Sequence, residues 1–95
     1  MLMQRVIVSG RVQGVNFRHF ITVEANKRNL AGWVRNLRDG TVEAVFAGPD
    51  RDVTDMIEQC RAGPPHANVE RVDTFRATQD DVDLRRHGQR FSRLD

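Results

Sequence analysis

The chain is poor in the residues that build disulfide scaffolds and membrane spans. Cys60 is its only cysteine, which excludes an internal disulfide and a zinc site made of paired cysteines. No apolar run approaches the length that a secretory or membrane-spanning helix needs. We therefore expect a protein that works in the reducing cytoplasm and has no membrane partner.

Tyrosine is absent, and Lys27 is the only lysine among fifteen basic residues. Because few groups titrate just above neutrality, a formal net charge of +2 is enough to give an isoelectric point of about 9.5. The arginines are interspersed with acids rather than gathered in a block, so charge does not favour nucleic acid as a partner. The hydrophobic share of 39% over 95 residues predicts one globular domain, residues 1–95, and we expect a monomer.

Apolar spacing predicts strands and helices in alternation. An unbroken apolar run predicts a first strand over residues 4–9, central in a sheet and buried on both faces. Apolar residues at three- and four-residue intervals predict a helix from Phe17 that ends before Leu30, and a second over about residues 50–61. The sequence Gly-Pro-Pro at residues 63–65 ends the second helix.

Between these helices, an Asp-Gly pair at residues 39–40 predicts a tight hairpin. It joins a second strand, residues 31–36, to a third, residues 41–47. The hairpin places the last residue of the second strand, Asn36, at the start of a turn.

The C-terminal third is predicted to complete the sheet. A fourth strand contains Val69, Val72 and Phe75, whose three-residue spacing favours a bulge or a shifted face. A polar, acidic connection then leads to a short edge strand over residues 90–94. The order βαββαβ plus an edge strand folds most readily as a ferredoxin-like α+β sandwich, an antiparallel sheet with two helices on one face.

The turn between the first strand and the first helix is the first candidate site. It contains Gly10 and Gly14, and Arg18 follows in the first helical turn. Free amides and the helix dipole favour an anion at such a place, and an arginine is able to hold a phosphate or carboxylate with two donors. On spacing alone, a structural turn followed by a solvent-facing arginine is the preferred interpretation.

Asn36 is the second candidate. On spacing alone, an asparagine that opens a turn is most often structural, but its amide is also able to hold a water directed at the anion of the first site. Neither site contains an acid or a base, which suits a leaving group that departs without protonation. His66 and His87 share no ligand spacing with Cys60, so no metal or other cofactor is expected. We expect His19 to be exposed.

Two motifs together resemble those of the acylphosphatase family. The first is Val-Ser-Gly-Arg-Val-Gln-Gly-Val-Asn-Phe-Arg at residues 8–18, and the second is Gly-Trp-Val-Arg-Asn at residues 32–36. Gly40-Thr41-Val42 and Gly48 follow at matching positions, and the resemblance extends to about Phe75. Residues 91–95 match only loosely, which leaves the register of the edge strand open.

The resemblance implies a ferredoxin-like fold and hydrolysis of acyl phosphates without a metal ion. It implies that Arg18 and the loop amides bind the phosphoryl group, and that Asn36 positions the attacking water. The implied phosphate-binding set is Gln13, Gly14, Val15, Asn16, Phe17 and Arg18. Because a carboxylate is a stable leaving anion, orientation and charge stabilisation carry such a reaction.

Two non-catalytic alternatives share this fold class. RNA-recognition domains also have the order βαββαβ, but they stack bases on aromatic residues of the sheet. The predicted third strand contains one phenylalanine, Phe46, and an acid, Glu43, so RNA is not the expected partner. A domain that binds a small anion without turnover is left open by the motifs.

Overall fold

A computed structural model describes all residues of the chain, 1–95. It confirms the predicted βαββαβ order and adds a short helix before the edge strand. The longest helix has 13 residues, and none is long and apolar enough to cross a membrane. The elements are β1 (Leu2–Arg11), α1 (Phe17–Lys27), β2 (Ala31–Asn36), β3 (Val42–Gly48), α2 (Asp50–Ala62), β4 (Asn68–Arg76), α3 (Gln79–Val82) and β5 (Phe91–Arg93).

The five strands form one sheet in the order β4-β1-β3-β2-β5. The four longer strands pair antiparallel, as predicted. β5 instead pairs parallel to β2, with Gly32 opposite Phe91. The sequence did not indicate this direction, because the path of the preceding connection, and not the three residues of β5, sets how they enter the sheet.

The main core lies between the sheet and the two long helices. Each helix buries one face at the predicted spacing, α1 through Phe17, Ile21 and Ala25 and α2 through Val53, Met56 and Cys60. Burial of one large apolar side chain contributes about 1.5–3 kcal/mol, so this face holds α1 firmly on the sheet. The start of α1 is thereby fixed beside the end of β1.

The opposite face of the sheet is covered only in part, by α3. The indole N–H of Trp33 donates to the backbone oxygen of Asp81 at 2.6 Å. α3 begins with a capping box in which Thr78 and Asp81 exchange side-chain and backbone hydrogen bonds. The predicted acidic connection therefore contains an unexpected helix, and the Thr-x-x-Asp spacing was the available sign of its start. The buried residues here are Trp33, Val45, Ala47, Ala77 and Val82.

The prediction that β1 is buried on both faces is wrong. Only Val6 and Val8 of β1 are buried, and both belong to the main core. Ile7, which points to the opposite face, is partly exposed. β3 is the strand buried at every residue, because it lies in the middle of the sheet and α3 covers its far side.

β1 also extends further than predicted, so that Gly10 lies inside the strand and not in a turn. The register between β1 and β4 shifts between Ser9 and Gly10. A Cβ atom on Gly10 would lie 2.2 Å from the backbone oxygen of Asn68, so only glycine fits. Because of this bulge, Val69 and Val72 both pack against the main core despite their three-residue spacing, which confirms the predicted irregularity.

Candidate active site

The connection between β1 and α1, residues 12–16, is a loop with free amides, and we call it the cradle loop. The backbone N–H groups of Gly14, Val15 and Asn16 donate to no backbone carbonyl. The first backbone hydrogen bond of α1 runs from the Phe20 N–H to the Asn16 oxygen at 3.0 Å. The amides of residues 17–19 therefore also lack helical partners. Loop and helix start together offer an anion a set of unpaired donors.

Two left-handed residues give the cradle loop its shape. Gly14 has φ 74°, and Asn16 has φ 66° and ψ 25°. Such residues turn successive amides toward one side of the chain, as in other anion-binding loops. A Cβ atom on Gly14 would meet no atom within 4 Å, so the conformation, and not a lack of space, requires glycine there. Asparagine is one of the few other residues that adopt this conformation readily.

Arg18 projects from the first turn of α1 and is held by Asp95. Its Nη1 atom lies 2.9 Å from the Asp95 Oδ1 atom and 3.2 Å from the Asp95 backbone oxygen. Both contacts use one nitrogen, so the remaining guanidinium donors have no partner in the chain. The side chain is 24% exposed, which leaves it accessible to an anion.

Asn36, at the end of β2, is held by the same carboxylate. Its backbone N–H donates to the Asp95 Oδ2 atom at 3.0 Å. Partial burial raises the pKa of Asp95, but hydrogen bonds from Arg18 and from the Asn36 N–H outweigh it and hold that pKa below its ordinary value. The Asp95 carboxylate is therefore ionised at neutral pH and links the end of β2 to the start of α1.

One cavity brings most of the predicted residues together. Its volume is about 470 Å³, and Arg18 and Asn36 both line it. The other predicted residues on its wall are Gly14, Val15, Asn16 and Phe17. On spacing alone the structural interpretation of Arg18 and Asn36 was preferred, and their shared cavity instead favours a functional one.

Gln13 differs from the rest of the predicted phosphate-binding set. Its Nε2 atom donates to the backbone oxygens of Leu37 and Thr41, at 2.8 and 2.9 Å, and it does not line the cavity. The side chain therefore ties the cradle loop to the hairpin that follows Asn36. Only its backbone N–H remains for an anion.

Four further basic residues line the cavity, and no acidic residue does. His19 is exposed, as predicted. His66 and Asp95 were not identified as site residues from the sequence, because the contacts that place them join distant segments. The Arg18–Asp95 contact, for example, spans 77 positions, and no local pattern marks it. The four basic residues are Arg11, His19, His66 and Arg93.

Other common catalytic groups are not in place at this cavity. Cys60 is buried in the main core, where burial raises the pKa of its thiol to about 12, so it is no nucleophile near neutral pH. No three His, Cys, Asp or Glu side chains are grouped closely enough to hold a metal ion. The cavity instead presents backbone amides, guanidinium groups, imidazoles and the two carboxamides of Asn16 and Asn36.

Comparison with known proteins adds to this geometry. The family model described as acylphosphatase matches residues 4–91. The chain belongs to the acylphosphatase family. A curated acylphosphatase from Rhodopseudomonas palustris (strain BisB18) is 50% identical over 93 residues, which cover 98% of this chain and 94% of that protein. One from Bradyrhizobium diazoefficiens is 48% identical over 90 residues, which cover 95% and 91%.

Solved acylphosphatase structures share the fold. The crystal structure of acylphosphatase from Bacillus subtilis superimposes with a TM-score of 0.85 at 40% identity and covers all of both chains. An acylphosphatase from Coxiella burnetii superimposes with a TM-score of 0.82 at 33% identity, over 97% of this chain and 90% of that one. The predicted acylphosphatase resemblance and the predicted ferredoxin-like sandwich are both confirmed.

Proposed function

We propose that the chain hydrolyses acyl phosphates to a carboxylate and inorganic phosphate. The observation that carries this proposal is one cavity that joins the free amides of the cradle loop, Arg18 and Asn36. Membership of the acylphosphatase family supports the same reaction.

The phosphoryl group binds in the cradle loop. Its oxygens accept hydrogen bonds from the amides of residues 14–16 and of the first turn of α1, where the helix dipole adds positive potential. Arg18 contributes the donors that Asp95 leaves free. In phosphoryl transfer the negative charge spreads over the three equatorial oxygens, so donors on several sides lower the barrier.

Asn36 positions the attacking water. The water oxygen forms a bond to phosphorus while the bond from phosphorus to the acyl oxygen breaks, and the carboxylate leaves with the bonding electrons. One proton of the water passes to a phosphoryl oxygen. A carboxylate is a stable anion, so the leaving group needs no general acid, and Asn36 needs only to orient the water. Amides and guanidinium groups supply the positive potential, and we include no metal ion or other cofactor.

A second candidate function is binding of a small anion without turnover, because the free amides would favour phosphate in either case. RNA binding gains no support from the sheet. Phe46 of β3 is fully buried in the main core, and Trp33 is buried beneath α3, so neither is available for base stacking. Within the proposal, residues 1–95 form a single cytoplasmic domain that acts as a monomer on a small molecule. The buried, unpaired Cys60 suits that reducing compartment.

Hydrolysis of acetyl phosphate and of benzoyl phosphate by the purified protein tests the proposal. We expect turnover of both, and much slower turnover of a phosphate monoester, whose leaving group is a poorer anion. A chelator added to the assay is expected to change nothing. A preference for the monoester would contradict the mechanism. Binding of phosphate without turnover of any acyl phosphate would favour the non-catalytic function.

A further inference from the structure

A mostly apolar groove of about 300 Å³ lies beside the phosphate cavity. One wall is the exposed side of α1, with Phe20 and Val23, and the other is the turn that follows α2, with Pro64 and Pro65. Val23 is 38% exposed, which is unusual for a large apolar side chain among mostly buried ones. The volume is at the lower end of the range for small-molecule pockets.

The wall formed by the turn is held in place by its packing on α1. The backbone N–H of Ala67 donates to the Pro64 oxygen at 3.0 Å, which closes the turn. A Cβ atom on Gly63 would lie 2.9 Å from the ring of Phe17, so the turn lies directly on this ring. Phe17 in turn contacts Phe20 edge to face, with ring centroids 6.0 Å apart. The groove is thus a formed feature of the fold.

The groove and the phosphate cavity are continuous. Val15, Asn16, His19 and His66 line both. A substrate whose phosphoryl group lies in the cradle loop therefore has its acyl group at the entrance of the groove. Because the acyl group is bonded directly to the phosphate, a groove that opens from the phosphate cavity is close enough to hold it.

The chemistry of the groove favours an uncharged acyl group. Glu24, its one acidic residue, is paired with Arg28 at 2.9 Å and with Lys27 at 3.1 Å. Hydrogen bonds from Arg28 and Lys27 lower the pKa of Glu24, so it remains ionised, and its negative charge repels an acyl carboxylate. The remaining surface is largely hydrocarbon and stabilises a ligand through burial of apolar area.

We propose that this groove, formed by Val15, Phe20, Val23, Pro64 and Pro65, is the acyl subsite, and that it selects acyl phosphates with an apolar acyl group such as an aromatic ring. The inference rests on the proposed function, because it assumes a phosphoryl group in the cradle loop. It differs from that function in assigning a preference among acyl phosphates, mainly to Phe20, Val23, Pro64 and Pro65, which do not line the phosphate cavity.

The test compares kcat/KM for benzoyl phosphate and for acetyl phosphate in the wild type and in variants. The ratio of the two constants within one protein is compared between proteins, so that the different intrinsic reactivities of the two substrates cancel. We expect Val23→Asp to lower the benzoyl-to-acetyl ratio roughly tenfold, at the low end for a change in a hydrophobic pocket, because the groove is open to solvent. The nearly isosteric Val23→Thr is expected to lower it by about twofold.

Leu84→Asp is the matched control. Leu84 is 59% exposed and lines neither the groove nor the phosphate cavity, so the ratio in this variant should equal that of the wild type. A fall in the ratio for the Val23 variants but not for Leu84→Asp supports the acyl subsite. An unchanged ratio in all variants that still hydrolyse acetyl phosphate overturns the subsite and leaves the proposed function standing.

Succinyl phosphate, whose acyl group carries a carboxylate, is the third substrate in this test. Weaker specificity of the wild type for succinyl than for benzoyl phosphate supports the apolar subsite. A wild-type preference for succinyl phosphate overturns it, and assigns Arg11 and Arg93 the task of binding the second charge. If the wild type hydrolyses none of the three, the proposed function and the subsite both fail.

Discussion

Glu43 and Asp95 each hold two partners with one carboxylate, but the donors around them differ. Glu43 lies on the face of the sheet opposite the long helices and accepts from the Nε atoms of Arg5 and Arg35, each at 2.6 Å. Its side chain is only 5% exposed, and the two guanidinium groups lie over the rings of Phe75 and Trp33 at 5.1 Å. Both carboxylate oxygens of Glu43 are therefore occupied, and each arginine bonds Glu43 through Nε alone while its guanidinium group lies over an aromatic ring.

The Asp95 cluster is different because the unused donors of its partners line the phosphate cavity, which neither Arg5 nor Arg35 lines. Arg18 contacts Asp95 through Nη1 alone. From Asn36 the carboxylate accepts only the backbone N–H, which leaves the side-chain carboxamide of Asn36 free. The free amides of the cradle loop lie in the same cavity. Arginines alone therefore do not mark a site in this chain. Unpaired donors that share a cavity do.

Replacement of one arginine in each cluster by alanine should give the largest difference in kcat/KM between the two clusters. We expect Arg18→Ala to lower kcat/KM for acetyl phosphate by about 10³-fold or more, since the variant loses a charged donor to the transition state. It should also raise the inhibition constant of inorganic phosphate. Arg35→Ala should keep kcat/KM within about twofold of the wild type, because Arg35 bonds Glu43 on the opposite face of the sheet and does not line the phosphate cavity. Unchanged phosphate affinity in Arg18→Ala would remove Arg18 from the binding of the phosphoryl group.

Asn36→Ala should have the next largest effect. The loss of one positioned polar group is expected to lower kcat by about 10²–10³-fold. Because the cradle loop and Arg18 remain, the inhibition constant of inorganic phosphate should change little. Steady-state kinetics with phosphate as inhibitor measures both quantities. Near-normal turnover would show that Asn36 is only a turn residue.

Asp95→Asn tests the link between Arg18 and Asn36, the two proposed catalytic residues. We expect kcat/KM to fall by about tenfold, because Arg18 and Asn36 lose the charge that aligns them. The folded-state pKa of Asp95 is lowered from the ordinary value of 3.8. Its stabilisation is therefore complete above that ordinary value and is lost as the pH falls through the lower folded-state pKa.

The melting temperature measured as a function of pH checks this prediction. The wild type should melt above Asp95→Asn at neutral pH, and the two should converge in acid below pH 3.8. A constant difference at every pH would show that Asp95 contributes through shape and not through charge. Equal kcat/KM in the two proteins would exclude Asp95 as a positioning residue.

Glu43→Gln should have the smallest effect on turnover, although Glu43 is the more deeply buried carboxylate. We expect kcat/KM to remain at the wild-type value and the free energy of unfolding to fall by about 1.5–3 kcal/mol, the range for a hydrogen bond to a charged group. Arg5 and Arg35 are more than a third exposed and regain water, which limits the loss. Urea unfolding and an acetyl phosphate assay measure the two quantities. A large loss of turnover would break the contrast between the clusters.

Much of the local structure follows from the sequence, because it depends on neighbouring residues. The helical spacing in residues 17–27 predicts the buried face of α1, and the Asp-Gly pair predicts the hairpin between β2 and β3. The features that were predicted wrongly depend on which elements cover each face of the sheet. The apolar run in β1 resembles a strand buried on both faces, but α3 leaves part of the far side of the sheet uncovered.

The amino-acid sequence indicated the two separate segments of the chain that form the candidate site. Gly14 and Arg18 lie on one short loop and the first turn of the helix that follows it, where an anion is able to bind. Their spacing alone favours a structural turn, and the family resemblance makes the anion site the expected interpretation. The motif that ends at Asn36 suggests the second group.

Only the tertiary structure decided that these two segments share a cavity and that the Gln13 side chain hydrogen-bonds to the hairpin. It also decided that Asp95 links Arg18 to Asn36. Local patterns carry the propensity of a segment for a helix, a strand or a turn. Contacts that span 24 to 77 positions form only when the packed sheet brings distant segments together, and no local pattern records them.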